Sequence, residues 1–343
     1  MIESVAEAEG YRLNVDYYGA DFPVDLLVRR MEDGDFIVPG FQREYVWNHE
    51  EASRFIESLI IGLPTPALFL AKDKFSNRYL VVDGQQRLKT LQHFYRGEFE
   101  DGKKFDLKAV VPPLAHQTYS TLSASDRRAL DNAIIHCIVI SDNYDPKGMF
   151  HLFERLNTTG SPLTAQEVRN AIYHGAFSAL LRELSTTDVW REVFGEPDNR
   201  GEEQEIILRF LALHFAFADY RGSMADFLNR FMLENRDLAQ IPESKMRKTF
   251  LESVTFLESC IGPKVFYRRK LFSKPLFDSL MILTAKELQR GLACGTLKKV
   301  HGLLLEDEHF WSLSQHATTN RARMATRFRY VEEHYKKLRA IAR

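Results

Sequence analysis

The spacing of apolar residues changes character near residue 145, and that change restricts the chain to a mixed α/β unit followed by a helical one. Before it, Phe36-Ile37-Val38, Ala67–Ala71, Arg78–Asp83 and His136–Ser141 are short apolar runs bounded by turn residues, the pattern of strands. Helical spacing is interleaved with them. Leu26–Arg30 is a short helix, and Ala52, Phe55, Ile56, Leu59 and Ile60 mark one face of a helix over His49–Ile61, stopped by Gly62 and Pro64. A further helix runs from Gln85 to about Arg96. After residue 145, Phe150–Asn157, Thr164–Ala176, Gly201–Phe217, Met224–Asn235, Glu243–Cys260, Ser273–Gln289 and Thr326–Ile341 all suit helices, with little alternation. The expected fold class is α+β: residues 1–19 an N-terminal extension, 20–145 a mixed α/β domain and 146–343 a helical domain. A length of 343 residues is enough for two cores at roughly 100–200 residues per domain.

Composition narrows the class further. No run approaches the roughly 18 apolar residues of a membrane span, and the first 19 residues are acidic without an apolar core, unlike a secretory signal. The three cysteines, Cys137, Cys260 and Cys294, lie far apart without a CxxC pair, so neither a disulfide framework nor a cysteine zinc site is expected, and a cytoplasmic location is. The net charge of −1 hides an asymmetry: Thr318–Arg343 holds eight basic and two acidic residues, 8 − 2 = +6. That end suits a polyanion such as DNA, with Arg321, Arg323 and Arg327 as contacts, and Arg268, Arg269 and Lys270 form a second basic group beside Lys264 and Lys274. A solvated helix face is the more ordinary account of such runs.

The segment Tyr79–Leu91 carries the chemistry. A β-rich run enters Asp83-Gly84 and a helix leaves it, and helix N-termini present backbone N–H groups and positive potential to anions. Gly84 permits close backbone approach. Two readings stand here. Asp83 and Gln86 have the spacing of a capping box. That leaves Arg87 and Lys89 in or near the first turn, where cations oppose the helix dipole and a bound phosphate would remove the conflict. Upstream, Gln42 and Arg43 sit among Phe41, Tyr45 and Trp47, an arrangement that suits either a base-plus-phosphate ligand or a core edge. Downstream, Asn157–Ser161 stops a helix and Thr164 with Glu167 forms a capping box, leaving Arg155, Asn157 and Arg169 without a structural account.

Four stretches in order, Pro39–Trp47, Gly62–Pro66, Asp83-Gly-Gln-Gln-Arg87 and Phe153–Thr164, resemble the N-terminal domain family of GmrSD-type restriction endonucleases. The resemblance implies a ParB/sulfiredoxin-like fold for the α/β domain and a nucleoside triphosphate, with Mg²⁺ or a similar ion, at the Asp-Gly-Gln-Gln-Arg turn. It implies Asp83 for the metal or attacking water, with Gln86 and Arg87 joining it as the catalytic group. Gln42, Arg43, Gly84, Gln85, Thr90, Arg155 and Asn157 would bind the nucleotide. Full-length members often carry an HNH nuclease; no such arrangement is found among His301, His309, His316 and His334, and Pro197-Asp198 with Glu243-Ser-Lys245 is too widely spaced for another nuclease signature. The expected function is thus a nucleotide-hydrolysing sensor or regulatory component of a bacterial defence system against phage or foreign DNA. Its expected partners are DNA, a separate nuclease and a second copy of the chain. The alternatives are a non-catalytic DNA-binding or protein-interaction module, or a toxin-like component whose site has decayed.

Overall fold

The computed structural model describes residues 16–38, 45–73, 78–141, 148–149, 152, 155, 164–197, 200–315 and 319–341. The chain separates into two compact units, 1–163 and 164–343.

In the first unit a five-stranded mixed sheet is built from β1 (Tyr17–Pro23), β2 (Phe36–Ile37), β3 (Leu68–Lys72), β4 (Tyr79–Asp83) and β5 (Ile134–Ile140), in the order β1-β5-β3-β4-β2. β3 and β4 form an antiparallel pair, and β3 runs parallel to β5. The helices are α1 (Val24–Glu32), α2 (His49–Ile60), α3 (Gln85–Arg96) and α4 (Ala124–Asn132). α2 owes its start to Asn48, whose side chain accepts from Glu51 N while the Glu51 carboxylate takes Asn48 N, both at 2.9 Å. Its apolar face (Ala52, Phe55, Ile56, Leu59) joins Leu68, Leu70 and Val81 of the sheet and Leu88, Leu91 and Phe94 of α3 in one core. Residues 17–19, read above as part of an N-terminal extension, begin β1, which pairs with β5 from Tyr17↔Ile140 to Pro23↔Ile134.

Among the described residues the second unit is helical apart from one small hairpin, β6 (Tyr267–Arg268) and β7 (Leu271–Phe272). Its helices include 165–172, 176–185, 202–216, 224–234, 243–261, 274–287, 294–306 and 321–341. The capping box at Thr164 and Glu167 forms as the spacing predicts, with Glu167 N donating to Thr164 Oγ1 at 3.1 Å. Arg169 is buried and serves the packing: it donates to Asn229 Oδ1 at 2.8 Å and to Glu205 Oε2 at 2.9 Å.

Two expectations are corrected here. Arg327 does not face a polyanion: it is 0% exposed, and its Nη2 lies 3.4 Å from Asp278 Oδ2. The same carboxylate takes Arg209 in a fork, Nε at 2.9 and 3.0 Å and Nη2 at 2.7 Å. Burial pulls the Arg209 guanidinium down, but Asp278 outweighs it and the net direction is up. Arg327 is held below its usual value by burial, with Asp278 opposing and Arg209 adding to the effect. Further along the 321–341 helix, Lys336 is paired with Glu332 and Arg339 lies 3.8 Å from Glu287, so part of the basic end is neutralised within the unit. The second correction concerns the cysteines. Cys260 closes the 243–261 helix and Cys294 opens the 294–306 helix, and the packing of these helices brings the two into a disulfide with Cα atoms 5.4 Å apart. The remaining thiol, Cys137, is buried in β5, and burial pushes it up to about 12. No helix among the described residues is long and apolar enough to cross a membrane.

Candidate functional site

β4 delivers the chain to Asp83, which lies opposite Phe69 of β3 at a break in the strand register. Gly84 then turns it into α3 with φ 102°, a left-handed conformation that disfavours any side chain. A Cβ at this position would lie 2.1 Å from Leu68 Cδ2 and 3.2 Å from Arg87 Nη2. The turn therefore requires glycine twice, for its dihedral and for its space.

The capping box read from the spacing does not form. The N-cap is Gly84, which has no side chain to cap with, and the first turn of α3 holds no acidic residue. Gln86 is spent elsewhere: its Oε1 accepts Val46 N at 3.0 Å and Trp47 N at 3.4 Å, pinning the segment that leads into α2. Thr90 is fully buried rather than presented to a ligand. Its hydroxyl donates to Gln86 O at 2.7 Å and meets Tyr45 OH at 2.8 Å, so it positions Tyr45 against α3. Gln85 is buried at the start of the helix.

Arg87 is turned inward. Its Nη1 donates to Pro66 O and, at 3.1 Å, to Ala67 O, while Nη2 pairs with Asp83 Oδ2 at 3.0 Å. Burial lowers the guanidinium below its ordinary value, with Asp83 acting in the opposite sense. The conflict with the helix dipole is thus resolved by carbonyls and a carboxylate of the chain itself. Arg87 ties three things together: the end of β4, the first turn of α3 and the approach to β3. Pro66 and Ala67 were not expected as its acceptors, although their signal is present in the sequence. Prolines at 64 and 66 force extended backbone there, which leaves carbonyls unused by a helix. Arg87→Ala is expected to destabilise the first unit by roughly 1.5–3 kcal/mol, the worth of charged hydrogen bonds, and Arg87→Lys to recover little of it because an ammonium lacks the fork. Urea titration of both variants checks this; wild-type stability in Arg87→Ala would remove the anchoring role.

Asp83 is the polar group left facing out. Its side chain is 44% exposed, and Oδ1 makes no hydrogen bond among the described residues. A magnesium ion carried by a triphosphate commonly takes one or two carboxylates and completes its shell with water and phosphate oxygens, so a single exposed carboxylate beside an acid-free helix start fits that mode. No group of three His, Cys, Asp or Glu side chains forms a protein-only metal site among the described residues.

Beside α3 an aromatic cluster supports the turn. Tyr45 packs edge-on against His93 at 4.7 Å, and His93, Phe99 and His49 continue the contact to Phe105. Burial pushes Tyr45 up to about 12, and it holds His93 below its usual value despite Glu100 at 3.7 Å. Of the other expected ligands, Arg155 has helical backbone and an exposed side chain, whereas Gln42, Arg43 and Asn157 lie outside the described residues.

A mixed sheet ending in a strand–glycine–helix turn, ahead of a separate helical unit, defines an α/β domain whose candidate site is the start of one helix. Residues 25–174 match the family described as "GmrSD restriction endonuclease, N-terminal domain", and the chain carries that domain over this stretch. Over that stretch the similarity is to a domain of restriction endonucleases. One similar solved structure is titled "Structure of the C2221 form of Pnob8-like ParB-N domain", at 12% identity and a TM-score of 0.22, covering 89% of this chain and 99% of that one. No curated protein matches the chain.

Proposed function

We propose that the Asp83–Arg87 turn binds and hydrolyses a nucleoside triphosphate, and that the chain is a regulatory component of a restriction-type defence system that acts with DNA. The observation that carries this reading is the combination at one turn of a glycine without room for a side chain, an acid-free helix start and a half-exposed carboxylate. Backbone N–H groups at the start of α3 would face the phosphates, with the helix dipole favouring their charge. Asp83 would hold the attacking water or the ion's hydration shell through Oδ1, while Arg87 fixes its other oxygen. The bound ion would supply charge neutralisation at the transferring phosphoryl group. Gln86 would carry the state of the turn to the 45–48 segment, and so to Gln42 and Arg43 just upstream, through its bonds to Val46 and Trp47.

Asp83→Asn tests the assignment, since an amide oxygen still accepts from Arg87 while the charge is lost. With ATP, GTP, CTP and UTP offered in turn with Mg²⁺, wild-type protein is expected to release phosphate from at least one. Asp83→Asn is expected to lose turnover on the order of 10²-fold or more while melting near the wild-type temperature. Turnover unchanged in the folded variant would overturn the role of Asp83. Wild-type protein that neither binds nor hydrolyses any of the four would favour the non-catalytic DNA-binding or protein-interaction reading.

A further inference from the structure

In the helical unit, β6 and β7 pair through Tyr267↔Phe272 and Arg268↔Leu271, which leaves Arg269-Lys270 as a two-residue loop. Both residues have positive φ, 48° and 70°, as a type I′ turn requires. Such turns select Asn-Gly because other side chains are strained there, yet this one carries an arginine and a lysine, both exposed. Strain kept at residues with exposed side chains is a sign that those side chains are used outside the fold.

The surroundings agree. From Gly262 to Ser273 there are four basic residues (Lys264, Arg268, Arg269, Lys270) and no acidic one. None of the four is ion-paired among the described residues, whereas Lys274, just beyond, pairs with Glu202 at 3.1 Å. Arg268, which flanks the loop opposite Leu271, has its guanidinium carbon 3.8 Å from the centre of the Trp311 ring. Leu271, next to the loop, is 73% exposed, an apolar side chain at a tip that is otherwise charged. The base is firm: Tyr267 OH donates to Phe194 O at 2.5 Å, Ser273 N to Phe266 O at 2.8 Å, and Phe266 is buried. Lys264, Lys270, Tyr267 and His301 border a cavity of ≈ 660 Å³ beside the tip.

We infer that this hairpin is a duplex-DNA contact, with Arg269, Lys270 and Lys264 on backbone phosphates and Leu271 against base edges in the major groove. A two-stranded ribbon fits the roughly 12 Å major groove of B-DNA, and a leucine at its tip can meet the thymine methyl groups displayed there. The deep, narrow major groove of A-form RNA admits no such tip, so the contact distinguishes the two duplexes. This inference rests on the proposed reading of the chain as a component that acts with DNA, and it assigns that contact to a surface outside the nucleotide turn.

The test uses the full chain and the double variant Arg269→Asn/Lys270→Gly, which installs the residues that the turn prefers. Fluorescence anisotropy with a short mixed-sequence DNA duplex is expected to show binding that weakens steeply with salt. The variant should bind at least about tenfold more weakly, with a log–log salt slope smaller by about 1.8 for two lost phosphate contacts, and melt no lower than wild type. Leu271→Ser should weaken binding while leaving the slope unchanged. Wild-type affinity in the double variant, no binding by the wild type, or equal binding of duplex RNA or polyglutamate would overturn the inference. Phosphate release measured on the same samples keeps the two readings apart: the variant should hydrolyse nucleotide without DNA as the wild type does, whereas a wild type without turnover that still binds DNA through the hairpin would fail only the nucleotide assignment.

Discussion

Replacement of Gly84 by alanine is expected to cost the first unit about 2–5 kcal/mol, the sum of roughly 1–2 for a left-handed non-glycine residue and 1–3 for overpacking. The two terms act at one atom. At φ 102° the new Cβ would stand 2.1 Å from Leu68 Cδ2. Leu68 is fully buried in β3, so it has nowhere to retreat without opening the core beneath the turn. Moving the turn instead would strain the bonds from Arg87 to Pro66 and Ala67, because all three meet at the same place. The measurement is a urea titration read by far-ultraviolet circular dichroism, alongside nucleotide binding. A variant that retains both within experimental error would show that the turn is not under this constraint. Ligand binding to the native state adds stability by mass action, so a saturating nucleotide should stabilise the wild type more than the variant.

Asp278→Asn is expected to be equally severe for the helical unit, at about 3–5 kcal/mol, because it leaves two buried guanidinium groups around an amide. The carboxylate is 0% exposed and holds both Nε and Nη2 of Arg209 and, at 3.4 Å, Nη2 of Arg327. Its bonds to Arg209, at 2.7 to 3.0 Å, are shorter than the 3.4 Å to Arg327, so Asp278 chiefly serves Arg209. An apolar triple replacement, Arg209→Met, Asp278→Leu and Arg327→Met together, should recover most of the loss, since removal of all three charges also removes their desolvation. Chemical denaturation of the two proteins decides the matter. An Asp278→Asn protein as stable as the wild type would mean that the cluster is hydrated in solution and not the dry triad described.

What could be read from the sequence followed local chemistry. Gly62 ended α2 and the run Tyr79–Asp83 formed β4, because those signals depend on neighbours a few residues away. β1 was missed for the same reason: Tyr17-Tyr18-Gly19-Ala20-Asp21-Phe22-Pro23 shows no alternation, since most of its side chains face out and only its pairing with β5 makes it a strand. At the candidate site the glycine turn and the start of α3 were legible. The direction of Arg87 was not, because its acceptors lie 20 and 21 residues upstream. Arg327 was misread because a basic helix looks the same whichever face turns inward, and only Asp278, 49 residues away, selects the buried one. The 34-residue interval between Cys260 and Cys294 matches no motif, and helix packing alone brings them together.

The position of β1 has a consequence for synthesis on the ribosome. Among the described residues it is an edge strand bonded to β5 alone, with Tyr17 opposite Ile140 and Pro23 opposite Ile134. Of the strands described in this sheet, the earliest must therefore wait for the latest, while α1 to α4 and β2 to β4 are made in between. Such distant pairing closes slowly, and an unpaired edge in the nascent chain is open to wrong partners until it does. For that interval the exposed tyrosines at 17 and 18 and the early strand depend on whatever shields a growing polypeptide, and the sheet is sealed only after the segment carrying Asp83 to Arg87 has already emerged.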